Sequence, residues 1–426
     1  MTVLINWITV ALSTIILGAS IHKIAKGRFV MLHFITIVFY LMQVVPLIVD
    51  NIMGVDISLK KYPKMYTAMT DDTVAYIYCA FVIITLLVLY CFANRSLKNS
   101  NTVNFPVVEF NVSIYVKMIL FFGMFLPILA VLQSPDPSIY LKFSYFYMNS
   151  YNSSSSEYLY HTSTITLVNY IAFASAMLSY LFKRKNAMSI EIYLAILLYV
   201  WIDGKRALLT FSLIGILIID LLKKKYRSRA SVYFQKVIFF AVLIIGYFIL
   251  YSSVTGKGSD ETFYVQYSTY YGRMSNVKTA IYDVLNTNSI LDYKGQTLLY
   301  NLLFFVPRVF WPGKPAMYCK YFTAYVYNRS SSLFLPWNLQ VNVWSEFISN
   351  CGLWGIILAI ALIIIVSRIS EKSGDFFQYM FGTLFISFYC MFGFETLTLI
   401  SYIIWLFCMA RGFIFGKPIK SGGIRK

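Results

Sequence analysis

Long apolar runs repeat along the whole chain, and short polar stretches separate them. About 20 consecutive apolar residues in a helix cross a bilayer. The pattern therefore predicts an all-α polytopic integral membrane protein with about eleven transmembrane helices. The runs lie at residues 3–20, 29–49, 73–93, 112–132, 163–182, 188–202, 207–222, 233–253, 341–366, 376–392 and 397–413.

Short clusters of lysine and arginine follow alternate runs, as at residues 183–185 and 223–229. Such one-sided clusters are typical of cytoplasmic loops. They predict an N-terminus outside and a C-terminus in the cytoplasm, with residues 254–339 as a long external loop. No positive residue precedes the first run, so we interpret that run as a retained span and not as a cleaved signal. We expect residues 1–426 to form a single transmembrane domain.

The composition supports a membrane protein, since 59% of the residues are hydrophobic and the mean hydropathy is +0.67. A net charge of +18 does not indicate nucleic-acid binding, because the basic residues lie mainly in short clusters between apolar runs. Six cysteines are scattered and three histidines lie far apart. This pattern predicts neither a disulfide framework nor a zinc site.

The stretch at residues 300–355 is the strongest candidate for a working site. Three prolines interrupt an apolar run there, and proline stops a helix because it lacks an amide proton. The bent backbone places Arg308 and Lys314 at a membrane surface. Arginine presents a planar set of donors that matches phosphate oxygens. The alternative is that both side chains are only solvated, or extend along lipid to reach water.

Glu346 is the sharpest candidate in this stretch. Asn342 and Asn350 flank it at intervals of four residues, so the three side chains share one helical face. A carboxylate on a membrane-entering helix is costly unless it meets a partner or water. We therefore predict a pocket-lining acid that acts as a general base or binds acceptor hydroxyls. The alternative is that Glu346 only complements the helix dipole.

Further features are predicted on the outer face. Lys205 and Arg206 lie at the tip of a short helical hairpin, and Arg273 is another basic residue that does not mark topology. Trp311, Trp337 and many tyrosines crowd the long loop. These rings either stack on sugar faces or form an amphipathic segment on lipid.

Three segments resemble the bacterial O-antigen polymerases, the Wzy-type polymerases of oligosaccharide repeat units. The first is the hairpin tip DGKR at residues 203–206, and the second is VPRVFWPGKP at residues 306–315. The third is WSEFISNCGLWG at residues 344–355. The order of these features is similar as well, and the resemblance covers roughly the C-terminal half of the chain.

The resemblance implies a GT-C-type glycosyltransferase at the outer face of the bacterial inner membrane. Such enzymes transfer a growing glycan from its polyprenyl (undecaprenyl) diphosphate carrier to the next lipid-linked repeat unit. Arg206 and Arg308 would hold the donor's diphosphate, and Glu346 would orient or deprotonate the acceptor hydroxyl. From charge and position we add further substrate-binding candidates, namely Arg273, Lys314, Lys205, Asn342, Asn350, Trp311 and Trp337.

Preorganised arginines stabilise the charge that develops on a diphosphate leaving group. The sequence shows no compact cluster of acidic residues that would hold a metal, so we expect a reaction without metal or cofactor. The expected partners are the lipid-linked donor and acceptor, membrane lipid and a chain-length regulator, but not nucleic acid.

Two alternatives remain. The related O-antigen ligases use a histidine in the large outer loop, and residues 254–339 contain none. A transporter of lipid-linked oligosaccharide, such as a flippase, typically buries charge near the middle of the membrane and often has repeated halves. The sequence shows no repeated halves, and its informative charges are predicted at one face.

Overall fold

The computed structural model describes residues 1–26, 30–99, 113–141, 155–182, 190–204, 206–222, 230–255, 263–268, 272–287, 289–330, 334–335 and 338–414. Within these ranges every regular element is a helix. The chain forms two compact units. The first joins Met1–Asn104 to Asp260–Lys426, and the second is Phe105–Ser259.

In the described part of the chain, six helices are long and apolar enough to cross a membrane. They are Thr2–Ala25, Met31–Met53, Asp72–Ser96, Ile114–Leu132, Ser156–Phe182 and Trp354–Ser373. Shorter apolar helices lie at Leu208–Leu222, Gln235–Tyr247, Phe376–Phe392 and Thr396–Arg411. The chain is therefore a multi-pass helical membrane protein, and this part of the prediction is confirmed. The total of eleven spans stays a prediction.

The first unit begins with Thr2–Ala25, which packs against the long helix Asp72–Asn99. Met31–Phe39 packs against the same long helix. The elements between them are a π-helical turn at Tyr40–Val44, the helix Val45–Met53, a 3-10 turn at Ile57–Lys61 and the helix Pro63–Thr70. The unit ends with three consecutively packed helices, Trp354–Ser373, Phe376–Phe392 and Thr396–Ile414.

The segment at residues 254–339, predicted as a long external loop, contains several helices. They are Phe263–Gln266, Met274–Asn286, Gln296–Leu302 and Tyr318–Val326, beyond the end of Ala230–Thr255. Four tyrosines of the segment are buried, so they belong to the protein core and neither stack on sugars nor lie on lipid. These are Tyr264, Tyr318, Tyr321 and Tyr325. The side of the membrane on which the segment lies stays a prediction.

The predicted span at residues 341–366 is two helices in the structure. Val343–Cys351 ends at Gly352, whose φ of +65° favours glycine, and Trp354–Ser373 then begins. A Cβ atom on Gly355 would lie 2.1 Å from the carbonyl oxygen of Phe347. The two glycines therefore allow a tight corner between the helices. Apolar patterning did not predict the corner, because apolar residues continue through it.

The second unit packs Thr166–Phe182 against Ile114–Leu132. Its remaining elements are Ser138–Leu141, Ser156–Tyr160, a π-helical turn at His161–Ile165, Ile190–Asp203, Arg206–Leu222 and Ala230–Thr255. Asp220 is buried and forms an ion pair with Lys236. The Tyr180 hydroxyl also donates to Asp220 at 2.7 Å. Pairing of this kind offsets the cost of a charge inside a membrane protein.

Candidate functional site

Glu346 lies in the first turn of the short helix Val343–Cys351, here called the acid helix, and is fully buried. Asn342 caps this helix, because its Oδ1 atom accepts from the Ser345 amide at 2.8 Å. The Ser345 hydroxyl oxygen in turn accepts from the Asn342 amide at 3.4 Å. The Asn342 side chain thus caps the helix. It does not contact the Glu346 carboxylate, although the sequence pattern had placed the two side chains on one helical face.

Side chains from other helices hold the Glu346 carboxylate. Asn301 donates from Nδ2 to Oε1 at 2.8 Å, and the Tyr389 hydroxyl donates to Oε2 at 3.0 Å. Asn301 also donates to the Tyr389 hydroxyl oxygen at 3.2 Å. Sequence reasoning missed both partners. Asn301 had one usable signal, since it is a lone amide inside an apolar run, whereas Tyr389 is one of many tyrosines.

Burial raises the pKa of Glu346 to about 7, although hydrogen bonds from Thr297, Tyr389 and Asn301 act in the opposite direction. A carboxyl group ordinarily titrates near pH 4. A base is most effective when its pKa lies near the working pH. Glu346 is therefore suited to accept a proton near neutral pH, which a helix-dipole role would not require.

Asn350 ties the acid helix to the helix Gln296–Leu302, here called the bridging helix. Its Nδ2 atom donates to Thr297 Oγ1 and to the Glu346 carbonyl oxygen, both at 2.7 Å. Its Oδ1 atom accepts from the Thr297 amide at 3.3 Å. Asn350 thus fixes the position of Glu346 against the helix that supplies Asn301.

Trp344 anchors the acid helix to the N-terminal helices. Its ring is almost fully buried and meets Phe39 edge-on at a centroid distance of 5.3 Å. It meets Phe81 in the same way at 5.5 Å. Pairs of this geometry stabilise a core beyond the area they bury. In the WSE triplet, Trp344 therefore anchors the helix to the core, and Glu346 supplies the carboxylate two residues later.

The bridging helix leads directly into residues 303–315, here called the basic turn. Lys314 donates from Nζ to the carbonyl oxygens of Phe304 at 2.5 Å and Val306 at 2.8 Å. Arg308 donates from Nη1 to the Lys314 carbonyl oxygen at 2.8 Å. Burial and the neighbouring Arg308 charge lower the pKa of Lys314. Lys314 thus stabilises the conformation of the basic turn through hydrogen bonds and also contributes a positive charge.

Arg308 is exposed, and a long contact of 3.4 Å from Nη2 to the Pro315 carbonyl oxygen is its second hydrogen bond. A guanidinium has five N–H donors, so Arg308 keeps donors without a partner among the residues that the structure describes. Val309 and Phe310 beside it are 85% and 81% exposed. The sequence has no acidic residue between Asp292 and Glu346. A cation set among exposed apolar side chains suits an anionic group at a lipid surface.

Arg273 has a different environment from the one expected for a phosphate ligand. It is 2% exposed, and its Nε atom donates to the Met391 carbonyl oxygen at 2.6 Å. Its Nη2 atom donates to Gln340 Oε1 at 2.7 Å, and the guanidinium lies 5.9 Å from the Phe392 ring. These contacts give Arg273 a structural role, and we leave it out of the proposed site.

The structure describes few contacts of the remaining candidate residues. Arg206 begins the helix Arg206–Leu222 in the second unit, but its side chain lies outside the described residues. Lys205 and Trp337 lie outside them as well, and these three stay predictions. Trp311 is half-buried within the basic turn. Among the described residues, no three or more His, Cys, Asp or Glu side chains form a group that could hold a metal ion.

The geometry joins a buried carboxylate to an exposed cationic turn through one short helix. Of the residues singled out in the sequence, it brings Glu346 together with Asn350, and Arg308 together with Lys314. Comparisons with protein-family models, curated proteins and solved structures find no match to this chain. Function is therefore inferred from the chemistry of these residues and from the resemblance of their motifs.

Proposed function

We propose that this protein is a GT-C-type membrane glycosyltransferase that polymerises lipid-linked oligosaccharide repeat units. One observation carries the proposal. The buried carboxylate of Glu346, with a pKa of about 7, is bound by Asn301, and seven residues later the same chain segment presents Arg308. A buried carboxylate and an exposed guanidinium that are joined through one short chain segment suit sugar transfer from a diphosphate carrier, in which one accepts a proton and the other binds phosphate.

In the proposed reaction, an acceptor hydroxyl attacks C1 of the donor sugar. The new C1–O bond forms as the bond from C1 to the diphosphate oxygen breaks. The hydroxyl proton passes to Glu346, and the electron pair leaves with the polyprenyl diphosphate. Arg308 stabilises the charge that develops on this leaving group, and no oxidant, reductant or further reactant is needed.

The burial of Glu346 limits how the acceptor reaches it. Both carboxylate oxygens already accept hydrogen bonds, from Asn301 and Tyr389. An acceptor hydroxyl that donates to Oε1 takes the place of the Asn301 amide. Because Asn301 lies on the bridging helix, donor binding at the basic turn can couple to this exchange.

We further propose eleven spans, with the basic turn at the outer face of the bacterial inner membrane and the C-terminus in the cytoplasm. The one-sided clusters of basic residues support this orientation. The exposed side chains of Val309 and Phe310 support a position of the turn at lipid, where a polyprenyl diphosphate is found.

Replacing Glu346 by Gln tests the function in cells that make the glycan. The substitution keeps the shape but removes the base, and such a loss lowers a rate by about a hundredfold to ten-thousandfold. We expect surface glycan of single repeat units without long chains on a sizing gel. The control is Glu371→Gln, which alters a half-buried glutamate that accepts hydrogen bonds from Ser96 and Ser367. Long chains in the Glu346 variant at normal protein level contradict the proposal.

A transporter of lipid-linked oligosaccharide is a second candidate, because one buried ion pair favours it. Lys278 and Asp50 are both buried, with 3.5 Å between Nζ and Oδ2, and the Tyr264 hydroxyl donates to Asp50 at 2.6 Å. Buried charges in membrane proteins often mark transport pathways. If transport is the function, Glu346→Gln leaves no surface glycan of any length.

A further inference from the structure

A cavity of about 130 Å³ opens beside the acid helix. Ser349 lines it and lies three residues after Glu346, so the two side chains project from nearby positions on the helix. The wall is polar, with charges of both signs. The lining residues are Asp283, Leu291, Asp292, Tyr293, Lys294 and Ser349.

Tyr318 connects the cavity to the acid. Its hydroxyl lies 2.9 Å from Ser349 Oγ. Burial is the main cause that raises the pKa of Tyr318, and the charges of Glu346 and Asp283 raise it further. One phenol is therefore within electrostatic reach of both the carboxylate and the cavity wall.

Tyr321, one turn further along the helix Tyr318–Val326, connects the cavity to the basic turn. Burial raises the pKa of Tyr321, and nearby Asp292 raises it further, whereas Arg308 lowers it. The Tyr321 hydroxyl oxygen also accepts from the amide of Ala316, the residue directly after the basic turn, at 3.2 Å. Ser349 thus places the cavity beside the acid helix, and the helix Tyr318–Val326 contacts both Ser349 and the end of the basic turn.

The charged groups of the cavity differ in their roles. Asp283 is buried and accepts from the Thr287 hydroxyl and the Ser289 amide, both at 2.7 Å. It therefore shapes the wall. Asp292 and Lys294 are exposed at the mouth, where Tyr293 is 52% exposed, and Lys294 donates from Nζ to the Ser349 carbonyl oxygen at 3.4 Å.

This set of groups matches a neutral ring that carries hydroxyls. A carboxylate accepts from a hydroxyl, an ammonium donates to one, and a phenol ring stacks on an apolar sugar face. Pockets for drug-sized ligands measure about 300–1,000 Å³. A cavity of about 130 Å³ therefore suits a single ring and not an oligosaccharide or a prenyl chain.

We propose that this cavity binds one sugar ring of the acceptor glycan, next to the ring whose hydroxyl reacts at Glu346. The inference rests on the proposed function. The acceptor is favoured over the donor because the cavity shares the acid helix, and Glu346 takes the acceptor's proton. Asp292 and Lys294 are the residues that recognise the ring.

The test uses the full chain in lipid vesicles and the repeat-unit oligosaccharide freed from its lipid by mild acid. Without a diphosphate, this probe can act only as an acceptor. Asp292→Asn and Lys294→Gln each remove one charge at the mouth. Because a hydrogen bond to a charged group is lost, we expect the acceptor KM to rise about tenfold to a hundredfold, with kcat nearly unchanged. The matched control, Arg329→Gln, removes an exposed charge outside the cavity and leaves KM unchanged.

Saturation-transfer NMR of the wild-type protein with the same probe gives a second measurement that needs no variant. We expect transfer from the protein mainly to one ring of the oligosaccharide. No transfer to any ring, or an unchanged acceptor KM in both folded variants, overturns the cavity proposal and leaves the polymerase standing. Binding that depends on Asp292, in a protein that makes no polymer with its lipid-linked substrate, overturns the polymerase and leaves the sugar site.

Discussion

Asn301 holds one oxygen of the Glu346 carboxylate at 2.8 Å, although 45 residues separate the two in the chain. Tyr389, which follows Glu346 by 43 residues, donates to the other carboxylate oxygen. With both oxygens bound, the orientation of the carboxylate is fixed, and its protonation depends on its partners. This dependence can be measured.

Replacing Tyr389 by Phe removes a hydrogen bond that stabilises the charged form of Glu346. That bond lowers the pKa of Glu346, so its loss raises this pKa. The base works only when deprotonated, and the rate therefore rises with pH through this pKa. We expect the rising limb of the kcat profile to move toward alkaline pH by about one unit.

Tyr402→Phe is the matched control for this experiment. Tyr402 packs against Phe385 with ring centroids 4.9 Å apart, and its hydroxyl has no hydrogen-bond partner among the described residues. Its removal should leave the pH profile unchanged. A Tyr389→Phe profile that moves toward acid pH, or does not move, contradicts the assignment of Glu346 as the base.

Arg308→Lys should recover little of the activity that Arg308→Ala loses. A lysine keeps the charge but cannot make the paired contacts of a guanidinium with phosphate oxygens. Loss of a preorganised donor to a developing oxyanion costs about a hundredfold to a thousandfold in rate. Polymer formation from lipid-linked repeat units measures the effect, with Arg329→Lys as a control on an exposed arginine. Full activity in the Arg308→Lys variant would contradict the proposal that Arg308 binds phosphate through paired contacts.

Gly355→Ala should destabilise the corner between the acid helix and the following span. The added Cβ would lie 2.1 Å from the Phe347 carbonyl oxygen, and overpacking of this kind costs about 1–3 kcal/mol. Thermal unfolding of the purified protein measures the loss. Gly18→Ala is the control, since nothing lies within 4 Å of its Cβ position. Equal stability of the two variants contradicts the close approach.

Cysteine labelling of intact cells checks the predicted topology. In a background without native cysteines, Tyr293→Cys should react with a reagent that does not cross the membrane. Lys372→Cys, at the opposite end of the span Trp354–Ser373, should react only after the membrane is opened. Both positions are exposed in the structure. The reverse pattern of labelling overturns the orientation.

Much of the helical framework could be predicted from hydropathy. The run at residues 376–392 coincides with the helix Phe376–Phe392, and the run at residues 73–93 lies within Asp72–Asn99. The helix Met274–Asn286 was missed, because its buried positions include Asn276 and Lys278, and polar residues resemble a loop in a hydropathy pattern. Their burial is explained by tertiary partners, which a linear pattern does not contain.

The site was predicted in part. Glu346 stood out because an acid in an apolar stretch needs a partner, but the pattern could not say which one. Asn350 was expected on one face with the acid, and it donates to the backbone carbonyl oxygen of Glu346 and to Thr297, whereas Arg273 looked like a surface charge until its carbonyl partners were known. Lone charges and amides reveal that a contact is needed. Only the packing of distant segments reveals whether the contact is with substrate or with the protein itself.

The partners of Glu346 also set the order in which the protein can be assembled. Tyr389 is made 43 residues after Glu346, and at about 5–20 residues per second this is a delay of several seconds at the slower rates. During that time Glu346 lacks one of the hydrogen-bond donors that offset the desolvation of its carboxylate. We therefore expect the acid helix to dock late in biogenesis, after Phe376–Phe392 has been made.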